Sequence, residues 1–380
     1  MRSKLRVLPY VALLLPLDVV VALGLIATVL FGFVKRGLKP STTGSKEKGD
    51  GCAHSSPFSL GFSPRSTIVI LNWDGRRLLA ECLPSVIEAV RCAGGEHEIL
   101  VVDNGSTDGS VEYVRQVFPT VRTLALDRNY GFSEGNNRGV AGATTDLVVL
   151  LNNDMTVDRG FLRPLLNGFS DPSVFAITSQ IFFEDSTRRR EETGKTRARF
   201  QAGAFYLWHD EIGPEDEKRE AVPVFWAGGG SCAIDRRKFL EIGGFDVLYH
   251  PFYVEDADLS YQAWKRGWKC FLAPASRVVH KHRGTSSAKF GNDFVNNTIR
   301  RNLYLLIWKN VTDFSMILEH ILNLPRIHAR AMINDPTPTF EIRAYARAIR
   351  ELPGAIRKRI ANQAEYSLSD RDALARSQKQ

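Results

Sequence analysis

Apolar and polar positions divide the chain into four stretches. Val7 to Val34 is almost wholly apolar, bracketed by Arg2, Lys4 and Arg6 before it and Lys35, Arg36 and Lys39 after it. Residues 38–64 are rich in Ser, Gly, Lys and Pro and read as a flexible linker. From Thr67 onwards short apolar runs alternate with helical patterns. Thr67–Asn72, Glu98–Asp103, Val121–Leu126 and Asp146–Leu151 read as strands. Between them Leu78, Leu79, Cys82, Leu83, Val86, Ile87 and Val90 recur at helical spacing, a second helix runs through Phe118, and Ser133–Ala143 reads as a third. Strand and helix alternating in this way predict a mainly parallel α/β sheet with flanking helices. The tail after Asn296 mixes basic and apolar residues at roughly helical spacing.

The first stretch is long enough to span a bilayer, which takes about 20 apolar residues. Pro16 and Asp18 interrupt it, and an acid at mid-bilayer costs about 2.5–3.5 kcal/mol. A span beginning near Asp18 would leave that acid at the interface; a segment lying partly in the membrane surface is the other reading. A cleaved signal peptide fits less well, because the run is too long and no small-x-small site follows it. Flanking charge is nearly balanced and sets no orientation.

Composition adds bounds. With 380 residues, 44% hydrophobic and 24% charged, the chain has the make-up of a folded protein. The net charge of +8 suits a membrane surface or a diphosphate as well as nucleic acid, and no nucleic-acid-binding motif accompanies it. Five cysteines without a C-x-x-C pair point to free thiols. In the tail Arg343, Arg347, Arg350, Arg357 and Arg359 make a basic, partly amphipathic surface. It reads either as membrane-associated or as a solvated helix packed on the preceding domain. The last fifteen residues, 366–380, read as disordered.

Ligands of parallel sheets bind beyond the C-terminal strand ends. Asn72, Asp103, Asp127-Arg128-Asn129 and Asn152-Asn153-Asp154 all occupy that edge. Each alone could be a turn; together they make a site. Trp226-Ala-Gly-Gly-Gly-Ser231 offers backbone that a substrate can approach closely. Glu255-Asp-Ala-Asp258 opens a helix, where acids are favoured by the dipole in any case. His280 and His282 follow an apolar run, Phe271–Val279, and a histidine returning to an acid-rich rim is a metal-ligand candidate.

From Ser66 to Ser287 the chain resembles the family 2 inverting glycosyltransferases of GT-A fold, and within them the bacterial rhamnosyltransferase-like branch. The resembling pieces run in the family's order. They are Val69-Ile-Leu-Asn72, Val101-Val-Asp-Asn-Gly-Ser-Thr-Asp108, Asn129-Tyr-Gly-Phe-Ser-Glu-Gly-Asn-Asn137 and Leu150-Leu-Asn-Asn-Asp154. Then follow Gly228-Gly-Gly-Ser-Cys-Ala-Ile-Asp-Arg-Arg237, Ile242-Gly-Gly-Phe-Asp246, Tyr253-Val-Glu-Asp-Ala-Asp-Leu259 and Val279-His280.

The resemblance implies a Rossmann-like nucleotide-diphospho-sugar transferase domain at residues 65–287. A membrane anchor (1–37) and the linker (38–64) precede it, and a C-terminal helical region (288–365) follows. It implies that Asn72 and Asp103 contact base and ribose, and that Arg128, Asn129 and Asn136 lie near the nucleotide and its phosphates. Asn153 and Gly229 complete the donor site. Asp154 matches the last acid of a D-x-D metal motif whose first acid is here Asn152, and His280 matches the metal-binding histidine. A divalent metal, Mg or Mn, is the implied cofactor. Asp256 matches the catalytic base, with Glu255 its neighbour. A lipid-linked or glycan acceptor and a cytoplasmic catalytic domain at the inner membrane are further implications, because such donors are cytosolic in bacteria. The chain has neither the Q-x-x-R-W motif nor the several C-terminal spans of processive synthases, so single additions are expected. A nucleotidyltransferase and a non-catalytic scaffold in a glycan assembly complex are the rival readings.

Overall fold

The computed structural model describes residues 2–37, 64–185, 187, 190, 192–281, 290–335 and 337–379. Of the expected linker only Pro64 falls within them, and His282 lies outside them. The chain opens with α1 (Arg2–Gly37). There follow β1 (Ser66–Asn72), α2 (Arg76–Ala93), β2 (His97–Asp103), α3 (Ser110–Val117), β3 (Arg122–Ala125), α4 (Gly131–Gly142) and β4 (Leu147–Asn152). This is the alternation that the apolar runs predict, with boundaries within a few residues.

The next part was less legible: β5 (Met155–Val157), α5 (Leu162–Asn167), β6 (Val174–Phe183), β7 (Thr196–Gln201) and β8 (Ala204–His209). Then come α6 (Pro214–Glu217), β9 (Val222–Pro223), β10 (Ser231–Asp235), α7 (Arg236–Ile242), α8 (Glu255–Lys265) and β11 (Lys269–His280). The main sheet has the order β3-β2-β1-β4-β10-β6-β11-β5, with β9 on β11, while β7 and β8 form a separate hairpin. Strands β1 to β4 pair in parallel, β10 is antiparallel to β4 and β6, and β5 is antiparallel to β11.

Burial on both faces explains why the parallel strands read as unbroken apolar runs. Ile68, Ile70, Val101 and Val149 pack with Leu79, Leu83 and Leu165 on one side of the sheet. Val69, Val102, Val148 and Leu150 face the other side, with Val140, Tyr261 and Trp264. Two glycines let α4 lie close on its strands. A Cβ on Gly139 would sit 2.5 Å from Val69 Cγ1, and one on Gly135 would sit 2.7 Å from Leu71 Cδ1. Cysteines 82, 92, 232 and 270 are free, as expected.

The tail forms α9 (Asn292–Asn310), α10 (Phe314–Asn334), α11 (Pro338–Asn362) and α12 (Asp370–Arg376). These helices are packed, not merely solvated: Trp308, Tyr345 and Arg359 are among the largest fully buried side chains. Two expectations are corrected here. Of the expected disordered tail, 366–380, the described residues 366–379 are ordered, because α12 docks by burying Asp370 against Lys265 at 2.6 Å. Pro16 and Asp18 do not interrupt α1, which runs on as one helix through both. Asp18 is buried, and its Oδ1 accepts from Tyr345 Oη at 2.7 Å and lies 3.1 Å from His328 Nε2. By length and composition Arg6–Phe31 is able to cross a membrane.

Candidate active site

Register places the rim. Asn72 pairs across from Asp103, and Leu71 from Asn152, so the C-terminal ends of β1, β2 and β4 carry their polar residues side by side. Asn72 is buried; its Nδ2 donates to Asp103 Oδ1 at 3.1 Å and to Ser106 Oγ at 3.2 Å. Its Oδ1 accepts from Asn153 Nδ2 at 2.8 Å, tying β1 to the end of β4. The other Asp103 oxygen accepts from the Ser106 backbone N–H at 3.0 Å. Ser106 is thus part of the rim, though only its place in the Asn-Gly-Ser-Thr turn signalled it.

The loop before α4 is set by Asn104, whose Nδ2 donates to Asn129 Oδ1 at 3.0 Å and whose Oδ1 accepts from Tyr130 N–H at 2.9 Å. Asn129 also accepts from Gly131 N–H. Gly105, at φ +74, lets the β2 turn touch this loop: a Cβ there would lie 2.5 Å from the Arg128 carbonyl carbon. Arg128 extends over the Tyr130 ring at 4.8 Å. Asn136, expected near the nucleotide and its phosphates, lies in α4. It is buried, and its Nδ2 donates to the Phe132 carbonyl within α4.

The acids come together through the antiparallel half of the sheet. Met155 of β5 pairs with His280 of β11, which brings the end of β11 to the residue after Asp154. His280 Nε2 lies 3.2 Å from Asp154 Oδ2, and its Nδ1 lies 3.2 Å from Glu192 Oε2. Burial would lower the imidazole, but the two carboxylates outweigh it and lift His280 to about 10. Glu192 had no sequence signal, being the second of two acids after a run of arginines.

Asp154 Oδ1 is buried with no hydrogen-bond partner. An orphaned carboxylate oxygen of this kind costs stability unless something occupies it. Asp154 and His280, with Glu192 beside them, therefore fit a divalent cation in donor chemistry, which on binding would displace the imidazole proton. No cluster of three or more such ligands is already disposed around one point among the described residues. Asn152 contributes its backbone N–H to the Gly230 carbonyl at 2.8 Å, and a Cβ on Gly230 would lie 2.6 Å from Asn152 Nδ2. The glycine run is thus required where it abuts β4.

The same run meets the second acidic pair. Gly229 N–H donates to Asp256 Oδ2 at 3.4 Å, and Ala257 N–H donates to Oδ1 at 2.8 Å. Asp256 is partly exposed at the first turn of α8, and burial lifts its carboxyl to about 6. Glu255 points inward instead. It is buried, its Oε2 has no partner, and burial followed by the neighbouring Asp256 pushes it well above the usual carboxylate range.

The backbone entering α8 is strained. Tyr253 and Val254 have φ of 72° and 75°, a left-handed region costly for a β-branched residue. Asn302 of α9 holds it there, its Nδ2 within 3.2 Å of the carbonyls of Tyr249, Phe252 and Tyr253. Arg301 adds a donor to the His250 carbonyl at 2.7 Å. Neither residue was marked by the sequence, since both lie on a helix outside the expected catalytic segment. Asp258 turns away from the rim to accept from Tyr249, Lys309 and Asn310.

The sequence profile of Glycosyl transferase family 2 matches residues 67–243. An N-acetylglucosaminyl-diphospho-decaprenol L-rhamnosyltransferase of Mycobacterium tuberculosis is 29% identical over 211 residues, covering 50% of this chain and 68% of that protein. N-acetylgalactosaminyltransferase 7 of Drosophila melanogaster is 28% identical over 259 residues, covering 63% of this chain and 43% of its own length. Among solved structures, GalNAc-T7 with UDP, GalNAc and Mn2+ aligns at a TM-score of 0.51 and 20% identity, over 65% of this chain and 49% of that one. That likeness bears on the fold, which is GT-A. With the rim and the ordered motifs, these matches are consistent with a family 2 glycosyltransferase and support an enzyme of the glycosyltransferase class.

Proposed function

We propose that this enzyme moves a single sugar, with inversion, from a nucleotide-diphosphate donor to a lipid-linked saccharide acceptor. The observation that carries the reading is Asp256. It is a carboxylate at a helix start, lifted towards neutrality and bordering the same glycine run that abuts Asn152, two residues before Asp154. In an inverting displacement the acceptor hydroxyl attacks the anomeric carbon as its proton passes to a base. Asp256 is placed to take that proton, and a carboxyl near 6 stays mostly ionised at pH 7 while binding a proton better than an ordinary aspartate.

The donor side divides into recognition and charge. Asn72 and Asp103, locked by Asn153 and Ser106, present the base and ribose contacts. Arg128 and Asn129 border the phosphates. Asp154 and His280 would hold a divalent cation, Mg or Mn, whose charge stabilises the departing diphosphate. Asn152 supplies no charge, so those two carry the ligation, with Glu192 as the nearest further acid. The mycobacterial relative favours an L-rhamnosyl donor and a polyprenyl-diphosphate saccharide acceptor. Its acceptor class and the apolar helix favour a place at the cytoplasmic face of the inner membrane, in cell-surface polysaccharide synthesis.

The test is transfer by the purified chain from a panel of nucleotide sugars, with and without Mg2+ or Mn2+. One donor should support metal-dependent transfer to a polyprenyl-diphosphate saccharide. Asp154→Ala should lower that rate by about 100-fold or more and weaken Mn2+ binding measured by calorimetry. Undiminished activity after chelation would remove the metal from the scheme, and a product with the donor's anomeric configuration would remove inversion.

A further inference from the structure

We propose that α1 lies in the plane of the membrane surface, clamped along one seam to the C-terminal helices and facing lipid with its opposite side. It does not cross the bilayer. The seam is regular: Val7, Val11, Leu14, Asp18, Val21, Leu25 and Thr28 are all buried, spaced alternately four and three residues apart. That spacing is a helix-packing stripe. At 1.5 Å per residue it is about 32 Å long, as long as the hydrocarbon core is thick. Whatever packs on α1 must therefore share its depth along the whole seam.

The partners are α10 and α11, and they are not membrane-compatible. Arg326 and Arg330 on α10, and Arg343, Arg350, Glu351 and Arg357 on α11, are exposed. If α1 crossed the bilayer with its seam intact, these helices would be carried into hydrocarbon with their charges. If α1 left them to cross alone, Asp18 would lose Tyr345 and His328 and stand bare near the middle of the apolar run. The contact is built to hold. His328 bridges Asp18 and Glu341, at 3.1 and 2.9 Å, and Tyr304 Oη donates to the same Glu341 oxygen at 2.6 Å. Further along, Gly24 of α1 lies beside Ile356 of α11. Both routes to a spanning helix fail; lying flat avoids both.

The outward side of α1 fits lipid. Leu8, Leu15, Val19, Leu23, Ile26 and Leu30 form an exposed apolar stripe. The sequence places basic residues before and after it, Arg2, Lys4 and Arg6 at one end and Lys35 and Arg36 at the other. In a flat helix both clusters meet one layer of anionic headgroups, joined by the exposed arginines of α10 and α11. The proposal stands apart from the transferase reading, since it uses no residue of the rim.

Two measurements test it on the full chain. With an epitope at each end, protease added to inside-out vesicles of a bacterial expression host should remove both epitopes, and protease added to right-side-out vesicles should remove neither. Removal of one epitope from each side would establish a spanning helix and overturn the proposal. Purified protein should also float with vesicles of phosphatidylglycerol and phosphatidylcholine. Leu15→Glu with Leu23→Glu should cut the bound fraction by about tenfold while leaving the thermal melt unchanged. Undiminished flotation of that variant overturns the lipid-facing side, as does a wild-type chain that pairs with a second copy and ignores vesicles.

Discussion

Asp256→Asn is expected to lower transfer by about 10²–10⁴-fold while leaving nucleotide-sugar affinity unchanged. Asparagine keeps an oxygen able to accept from Gly229 or Ala257, so the start of α8 has no reason to move. It removes only the capacity to bind a proton. The wild-type rate should also carry an acid limb. The active form is the carboxylate, and burial places its midpoint at about 6, so the rate rises with pH through that value and levels off about one unit above it. The variant's residual rate should lack the limb. Glu255→Gln makes the contrast, because burial raises the Glu255 carboxyl well above its usual range and glutamine keeps its shape without a charge. Its rate should stay near wild type. Steady-state rates from pH 5 to 8, with donor affinity measured separately, decide the matter. Full activity in Asp256→Asn, or an acid limb that survives it, would sink the assignment.

What the sequence disclosed follows from which interactions are local. Strands β1 to β4 announce themselves because a parallel strand buried on both faces must be apolar throughout, and Asx-Gly turns mark their ends. The placement of β10 between β4 and β6 leaves no such trace, since antiparallel insertion is decided by partners far away in the chain. The same split runs through the site. Asn72, Asp103 and Asp154 stand at strand ends and were visible there. Glu192 becomes part of the site only because β11 brings His280 to it. Asn302 is an ordinary polar residue of α9 until the carbonyls of Tyr249, Phe252 and Tyr253 converge on its amide. The apolar run of α1 was plain, yet Asp18 read as an interruption because its partners lie some three hundred residues away.

The tail misled most, and its removal should be costly: Asp370→Ala is expected to destabilise the fold by about 3–5 kcal/mol. Residues 366–380 are polar and charged, which is why they read as disordered. Their anchor is a charge pair with Lys265, both side chains fully buried. Asp370 Oδ1 accepts from Lys265 Nζ at 2.6 Å and from Tyr261 Oη, while Oδ2 accepts from the backbone N–H groups of Thr312 and Asp313, each at 2.6 Å. Alanine would leave a buried ammonium and four further donors, Thr312 Oγ1 among them, short of an acceptor. Removing Lys265 as well should restore part of the loss, because an absent pair costs less than a broken one. Lys265→Met with Asp370→Leu should therefore unfold at higher urea than Asp370→Ala alone. Burial would raise the Asp370 carboxyl, but Lys265 and the donors around it hold it below its usual value. Its stabilisation is thus complete above the unfolded value of about 3.9 and is lost as pH falls through the lower folded value. Urea titrations at pH 7 read the effect directly, and truncation after Tyr366 should reproduce it. An unchanged midpoint in Asp370→Ala would mean that α12 contributes nothing to the fold, and that the tail is as dispensable as its composition suggests.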